Sequence, residues 1–492
     1  MNPLKFKSMQ KLVLIHGALG DYTEFDKIIP LLETEYEIEA FQIPHHGDYQ
    51  VSKVEFEINA LVKDFLKFLN KIGPAYVYGF SLGGYLAIAA AQKDETNFKG
   101  IITQGTKFDW SEESSKRETA NMNVEFLSTK AEGFYNYLDQ LHGDYLPELL
   151  VKTAGFMTLL GKNPNISRKS VEKLTIPVRL TRGGKDRMVS KDETLNIIEG
   201  LQFGHYFEIP SLIHPLGFIP PKHIARLISI QLDSLKYQWA STPFGKMAYK
   251  IIGEIQSESE TVILFLHEAI GSIAQWQKFP KHLCSELNLP GIAIEFPGYG
   301  FSESEDKIRD AKYLHEFALD YLPAFIEAIQ LKNPLLIVGH SDGGTNALLY
   351  SAKYPSNVKG IVTMAAHYIN EEETKAGIQP AIDAWKAEKL KGLEFFHGEK
   401  TERLFFAWAN TWLKPGFKDW DISEDIKGNS VPALITQGSN DQYGTDQQVN
   451  GIVDLLENAE SCFIEDCGHA PHLEKEGVVI AKINDFWLGI YT

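Results

Sequence analysis

The segment AYVYGFSLGGYLAIAAA, residues 75–91, decides the fold of this chain. Its apolar run predicts a buried strand, Gly-x-Ser-x-Gly follows, and the Ala-rich run after it predicts a helix. A serine on such a tight turn is forced into a strained backbone conformation, and the flanking glycines remove the side chains that would clash there. Ser81 is therefore expected to stand exposed at the carboxyl edge of a parallel sheet, where the free N–H groups of the helix favour negative charge.

The chain repeats this pattern once, as LLIVGHSDGGTNALLYSA at 335–352. Other segments are repeated at nearly constant separations: His16 and His267 are 251 residues apart, Ser81 and Ser341 260, Asp186 and Asp441 255, and His214 and His469 255. Such a long period predicts a duplicated domain, because arrays of small repeats have periods of about 20–50 residues. We expect one domain over 1–234 and a second over 235–492.

Within each half, short β-branched apolar runs alternate with amphipathic stretches. This alternation predicts an α/β fold, with a mostly parallel sheet flanked by helices in each half. Inserts at about 107–170 and 367–428 are rich in aromatic residues and Leu, and we interpret them as helical caps over a site. KMAYKIIGE, 246–254, predicts an extra strand in the second half, so the first sheet should be shorter at one edge.

A serine nucleophile needs a base, and the base needs an orienting acid. The chain order Ser, Asp, His is the one that this kind of serine turn uses. We predict Ser81 with Asp186 and His214 in the first half. The equivalent residues of the second half are Ser341, Asp441 and His469, and Asp and His are 28 residues apart in both halves.

The acid of the first half has one alternative, Asp109, which follows the strand-like run before the first insert. Jointly placed residues of the right types at the same spacing in two halves are hard to explain by packing alone. A single loop Asp or His would more often be a turn former or a surface residue.

An oxyanion hole requires two N–H donors, one from the residue after the nucleophile and one from the turn after the His strand. We assign Leu82 and Ala18 in the first half, and Asp342 and Ala269 in the second. Glu268 departs from this pattern, because a small neutral residue is expected there. We expect its carboxylate to point to solvent or to a partner cation. The Asp342 carboxylate should lean toward the acyl pocket, where it could bind a substrate amine, or toward the helix start.

Composition excludes several classes of partner. Lys and Arg number 48, Asp and Glu 65, and the net charge of −17 repels nucleic-acid phosphates and anionic membrane surfaces. No run of 18 apolar residues occurs, and three cysteines suit a reducing compartment, so we expect a cytoplasmic protein. His45 and His46 lack metal-ligand spacing and no phosphate-binding Gly-rich loop is present, so neither a metal nor a cofactor is predicted.

Both halves resemble α/β-hydrolase-fold serine hydrolases. The second half, with GHSDGGTNALLYSAKYP and CGHAPHLE, is similar to the branch of valacyclovir-hydrolase-like esterases and carbon–carbon-bond hydrolases. The first, with HGALGD and GFSLGG, resembles small carboxylesterases and the menaquinone-pathway synthase. The resemblance implies an eight-stranded, mostly parallel sheet and no cofactor, and it leaves the substrate open.

The expected function is hydrolysis of small carboxylic esters or thioesters through a Ser-His-Asp acyl-enzyme mechanism at two active sites. One alternative is carbon–carbon-bond hydrolysis, or a triad-dependent elimination, on a diketone-type substrate. Another is that one half is a non-catalytic module that binds a ligand or supports its partner. The oligomeric state stays open.

Overall fold

The computed structural model describes residues 9–47, 52–304 and 309–490. The chain forms two compact units, Met1–Leu235 and Lys236–Thr492. Each unit contains one sheet with helices on its faces, as the α/β pattern of the sequence predicted. None of the helices in these ranges has the length and apolar character needed to cross a membrane.

The first unit has a six-stranded sheet in which every pair of neighbours is parallel. Its strands are β1 Gln10–Ile15, β2 Tyr36–Phe41, β3 Ala75–Phe80, β4 Phe98–Gln104, β5 Val178–Gly183 and β6 Gly204–Ile209. They are arranged in the order β2-β1-β3-β4-β5-β6. The eight strands implied by the resemblance were therefore wrong for this unit within the described ranges, because no pair of strands precedes β1 there.

The α-helices of the first unit lie between these strands and after the last one. They are α1 Ile29–Leu32, α2 Ile58–Ile72, α3 Leu82–Lys93, α4 Glu112–Thr119, α5 Val124–Lys130, α6 Glu132–His142, α7 Leu146–Lys162, α8 Arg168–Val171, α9 Lys191–Ile198 and α10 Pro221–Ser234. Five of them, α4 to α8, fall between β4 and β5, in the insert that is expected to be a helical cap.

The second unit has an eight-stranded sheet. Its strands are β7 Gln238–Thr242, β8 Gly245–Ile252, β9 Val262–Leu266, β10 Gly291–Ile294, β11 Leu335–His340, β12 Val358–Met364, β13 Ala433–Gly438 and β14 Ala459–Ile464. Their order is β14-β13-β12-β11-β9-β10-β8-β7, so six strands repeat the first sheet. The extra strand predicted at 246–254 is β8, which pairs antiparallel with β7 and β10, and the first sheet is shorter at that edge as expected.

The α-helices of the second unit follow the same plan. They are α11 Phe279–Leu287, α12 Tyr313–Glu316, α13 Leu322–Ala328, α14 Asp342–Lys353, α15 Glu372–Lys386, α16 Glu394–His397, α17 Thr401–Leu413, α18 Ser423–Ile426, α19 Asp446–Leu455, α20 Pro471–Glu474 and α21 Glu476–Ile490. Helices α15 to α18 lie between β12 and β13, in the second insert that is expected to be a helical cap.

The centre of each unit is a strand followed by a helix, and both are buried. All six residues of β3 and all six of β11 are buried, which is why their sequences are continuously apolar instead of alternating. The first ten residues of α3 and of α14 are buried as well. This rigid core holds the turn between strand and helix at the carboxyl edge of the sheet.

Candidate active site

Each serine lies at the turn between the central strand and its helix. Ser81 has φ 50° and ψ −113°, and Ser341 has φ 52° and ψ −117°. A non-glycine residue rarely adopts positive φ, so both turns store backbone strain of the order of 1–3 kcal/mol. A Cβ at Gly83 would lie 2.4 Å from the Ile15 carbonyl oxygen, and one at Gly343 2.0 Å from that of Leu266. Only glycine permits this close packing of the turn on the neighbouring strand.

The structure brings the three predicted residues of the first unit together. The Nδ1–H of His214 donates to Oδ2 of Asp186 over 2.7 Å. This fixes the tautomer in which Nε2 is the acceptor, and Nε2 lies 3.2 Å from Oγ of Ser81. A serine hydroxyl, an imidazole and a carboxylate thus form one hydrogen-bonded chain, which is the arrangement needed to remove the serine proton.

In the second unit the acid and the base are paired in the same way. Nδ1 of His469 lies 2.9 Å from Oδ1 and 3.0 Å from Oδ2 of Asp441. Among the residues that the structure describes, no hydrogen bond joins His469 to Ser341. The two sites therefore differ at the contact between the base and the nucleophile.

Both carboxylates of these pairs are ionised in the folded protein. Burial alone would raise the pKa of Asp186, but the hydrogen bond and charge of His214 and two backbone N–H donors outweigh it and lower that pKa. The pKa of Asp441 is lowered in the same way, by His469 and a backbone N–H donor. Each acid can therefore stabilise an imidazolium, which forms when the histidine takes a proton.

Asp109, the alternative acid of the first unit, is exposed. Its backbone N–H donates to Oε2 of Glu193 over 2.7 Å. His214 is hydrogen bonded to Asp186 instead, so the structure favours the first assignment.

The two turns proposed to carry oxyanion donors are held by histidine rings. Nδ1 of His16 bonds the Gly17 carbonyl oxygen over 2.8 Å, and its Nε2 accepts from the Ile43 N–H over 3.0 Å. His267 makes the equivalent bonds, to the Glu268 carbonyl oxygen at 2.7 Å and from the Phe296 N–H at 3.3 Å. Burial lowers the pKa of His16 to about 3 and of His267 to about 4, so both rings are neutral and structural.

The backbone N–H groups of the four predicted donors have no acceptor. Within the described ranges, none of them donates to another residue; they belong to Ala18, Leu82, Ala269 and Asp342. Free N–H groups beside a nucleophile can stabilise a tetrahedral oxyanion.

A third histidine in each unit joins the cap to the oxyanion turn, and sequence reasoning missed both. His142, the last residue of α6, bonds the Leu19 carbonyl oxygen through Nε2 over 2.9 Å. His397, the last residue of α16, bonds that of Ile270 over 2.9 Å. Burial lowers the pKa of both imidazoles, so each is a neutral donor. The signal in the sequence was His-Gly-acid, LHGD at 141–144 and FHGE at 396–399.

Comparison with known proteins places the chain in a family. Residues 11–213 and 261–415 match the model of the alpha/beta hydrolase fold. The chain belongs to the alpha/beta hydrolase fold family. The enzyme class expected from the sequence, an esterase-like serine hydrolase, is confirmed at the level of this family.

The curated relatives of this alpha/beta hydrolase each match part of the chain. Serine hydrolase BPHL of Mus musculus is 34% identical over 110 residues, which cover 22% of this chain and 37% of that protein. Lipase 1 of Psychrobacter immobilis is 25% identical and covers 46% of this chain and 76% of its own length. The alpha/beta hydrolase domain-containing protein VTE7 of Arabidopsis thaliana is 24% identical, with 48% and 76% covered.

In this hydrolase the Asp342 side chain, expected near the acyl pocket or the helix start, already has a protein partner. The hydroxyl of Tyr313 donates to its Oδ2 over 2.6 Å and accepts from the indole N–H of Trp412 over 2.9 Å. Burial raises the pKa of Asp342 to about 6, although the Tyr313 hydrogen bond and the charge of Arg309 lower it. The carboxylate is therefore part of a buried network between α14 and the cap.

Glu268 faces a histidine, although a small neutral residue was expected at its position. Its Oε2 lies 3.4 Å from Nδ1 of His340, the residue before Ser341, and its side chain is 25% exposed. Burial would raise the pKa of Glu268, but His340 lowers it to about 2. The carboxylate thus lies between Gly271 of the same turn and the His340 ring.

A cavity of about 1120 Å³ lies in the second unit of this hydrolase, between its cap and the loops after β9 and β13. Its lining includes the apolar side chains of Ile270, Phe405, Trp408 and Tyr443, together with Asp441. The Tyr443 ring packs against the His469 ring with centroids 4.7 Å apart. The cavity therefore adjoins the acid and base of the second site.

No group of three or more His, Cys, Asp or Glu residues suited to a metal ion occurs in the described ranges. His46 lies instead under the first oxyanion turn, where its Nε2 accepts the Leu19 N–H over 3.2 Å.

Proposed function

We propose that this chain hydrolyses small carboxylic esters or thioesters at two active sites, one in each unit, through an acyl-enzyme intermediate. The observation that carries the proposal is the hydrogen-bonded chain from Asp186 through His214 to Ser81. The identical Asp-to-His spacing and the paired Asp441 and His469 support the same role for Ser341.

The mechanism follows from the roles of the three side chains. The serine Oγ attacks the ester carbonyl while the histidine Nε2 takes its proton, and the aspartate stabilises the imidazolium. The N–H groups of Leu82 and Ala18, or of Asp342 and Ala269, bind the oxyanion, and losing one such donor typically costs about 3–4 kcal/mol. The imidazolium then protonates the leaving group, and water releases the acyl group by the reverse path.

We further propose that the two units arose by duplication, as domains 1–234 and 235–492 with caps at about 107–170 and 367–428. Six strands of the second sheet repeat the order of the first. The two serine turns have nearly the same backbone angles, and both caps donate a histidine N–H to the oxyanion turn.

Ester chemistry is supported by the names of relatives, a serine hydrolase and a lipase. The cavity beside Asp441 favours a substrate with a bulky apolar group in the second site, because its lining is largely aliphatic and aromatic.

A fluorophosphonate probe of the full chain tests the proposal. Intact-mass measurement should show two adducts, and Ser81→Ala and Ser341→Ala should each remove one. A single adduct on the folded wild-type protein would show that one unit is a non-catalytic module. Two adducts without turnover of an ester and thioester panel, but with turnover of a β-diketone, would replace ester hydrolysis with carbon–carbon cleavage.

A further inference from the structure

Two positions beside the nucleophile differ between the units in a correlated way. In the first unit they hold Gly17 and Phe80, and a Cβ at Gly17 would lie 2.8 Å from the Phe80 ring. In the second unit they hold Glu268 and His340. An apolar contact in one site corresponds to a pair of ionisable groups in the other.

The surroundings of His340 favour the protonated form of its ring. Its Nε2 lies 2.8 Å from the backbone carbonyl oxygen of His469, and its Nδ1 lies 3.4 Å from Oε2 of Glu268. A carbonyl oxygen can only accept, so Nε2 carries a hydrogen. The second nitrogen faces the Glu268 carboxylate, and an ionised carboxylate only accepts hydrogen bonds, so this contact favours a hydrogen on Nδ1 as well. The ring is buried, where an unpaired charge would be costly, and Glu268 is its counter-ion.

The other charged and titratable groups around His340 are mostly histidines. Burial alone would lower the pKa of His340, but the hydrogen bond and charge of Glu268, the His469 carbonyl and the charge of Asp441 raise it. Four histidines lie around it, namely His267, His367, His469 and His472, and in addition to burial the charge of His340 lowers the pKa of His267, His367 and His472. Burial lowers the pKa of His267, His367 and His472, which keeps these three rings neutral and the pair with Glu268 dominant.

The Glu268–His340 pair connects the parts of the second site whose relative positions must be maintained. Glu268 belongs to the turn that ends in the proposed oxyanion donor Ala269, and His340 directly precedes Ser341. The other hydrogen bond of His340 reaches the backbone of His469, the proposed base, and the two rings lie 5.1 Å apart. One imidazolium therefore touches the oxyanion turn, the nucleophile strand and the base loop.

We propose that His340, held as an imidazolium by Glu268, is a positioning residue that keeps the oxyanion turn and His469 aligned on Ser341. The second site then loses activity at alkaline pH when His340 gives up its proton. The first site, with Gly17 and Phe80, has no such dependence. This inference rests on the proposed function of Ser341.

The test uses the full chain with Ser81→Ala, so that only the second site turns over. The pH profiles of kcat and KM for an ester should show an alkaline limb. Glu268→Gln should move that limb to lower pH and reduce kcat by about tenfold with KM nearly unchanged, since small misplacements slow chemistry more than binding. Glu258→Gln, an exposed residue of the same unit, is the matched control and should change neither.

The double variant Glu268→Gly/His340→Phe places the residue types of the first unit at these two positions of the second unit. It should abolish the alkaline limb. The Ser341→Ala chain, which reports on the first site, should lack this limb as well. If this double variant does not fold, Glu268→Gln decides the question alone, because it preserves side-chain size.

A Glu268→Gln profile with the wild-type shape would overturn the inference, since the pair would then act by packing only. The rate of fluorophosphonate labelling at Ser341 distinguishes a pair that acts by packing only from a second site that is not catalytic. If Ser341 is never labelled in the Ser81→Ala chain, the proposed function of the second site is wrong.

Discussion

The two units repeat the backbone of a proposed site and differ in the side chains next to the proposed nucleophile. Both have a strained serine turn and a proposed oxyanion turn, which is held by the histidine directly after β1 or β9 and by a histidine of the insert. Apolar Phe80 and Leu82 flank Ser81, whereas His340 and Asp342 flank Ser341. The fold therefore determines where the backbone donors lie, while neighbouring side chains set the charge around them.

The sites also differ at the contact between base and nucleophile. Nε2 of His214 lies 3.2 Å from the Ser81 hydroxyl, and in the described part of the chain His469 has no hydrogen bond to Ser341. The first site should therefore react faster with a small, unselective probe.

The largest expected effect comes from the acids. Asp186→Asn and Asp441→Asn, each assayed with the other site silenced by its serine variant, should lower kcat by about 10⁴-fold, because an amide does not hold the histidine in the required tautomer. Steady-state kinetics on an ester measures this. Asp109→Asn is the matched control for the first site and should leave kcat unchanged. A collapse of activity in Asp109→Asn with Asp186→Asn active would reverse the assignment.

The cap histidines should have the next largest effect, and an equal one in both sites. His142→Ala and His397→Ala remove the donor to the Leu19 or Ile270 carbonyl and should lower kcat by about ten- to hundredfold, with a smaller change in KM. Gln should restore part of the rate, because its side-chain N–H can replace Nε2–H.

His282→Ala is the control for these variants, since it removes an exposed imidazole that pairs with Glu476. Equal losses for Ala and Gln would contradict a role for the hydrogen bond and indicate packing alone.

The smallest effect concerns the stability of the fold. It is expected at Asp342, which can ionise, and not at its counterpart Leu82, which cannot. The folded pKa of Asp342 is raised to about 6 from its ordinary 3.8, so the folded state binds the proton more tightly than the unfolded state. The unfolding free energy therefore falls as pH rises from about 4 to 6. Ionisation of Asp342 thus lowers the free energy of unfolding of the wild type by on the order of 2–3 kcal/mol at pH 7 and by little at pH 4. Asp342→Asn should remove this decrease.

Thermal unfolding of Asp342→Asn and wild type at both pH values measures the difference. Asp419→Asn, at an exposed position, should show no such pH dependence. An equal change in Tm at pH 4 and pH 7 would contradict ionisation of Asp342 as the cause.

Much of the local structure followed from the sequence because short-range chemistry decides it. The apolar run, the two glycines and the helix-forming run around Ser81 specify a strand, a tight turn and a helix without reference to the rest of the chain. The extra strand at 246–254 was visible for the same reason. The number of strands in the first sheet was not, because the resemblance implied eight and the described ranges contain six.

Contacts between residues far apart in the chain could not be predicted from the sequence. Glu268 was expected near solvent or a cation, and only the fold showed that its neighbour is His340, 72 residues away. His142 and Leu19 are 123 residues apart, and His397 and Ile270 127. Side-chain types at such separations do not predict a hydrogen bond, because the path of the caps over the sheet decides whether the atoms meet.

The sequence by itself determined the fold class, the serine turns and the residue types of both proposed triads, since these depend on hydrophobic pattern and on spacing within single turns. Only the tertiary structure decided that Asp186 and not Asp109 reaches His214, and that Tyr313 occupies the Asp342 carboxylate. Hydrogen bonds require distances near 3 Å, and packing of the sheet, helices and cap sets those distances for residues far apart in the chain.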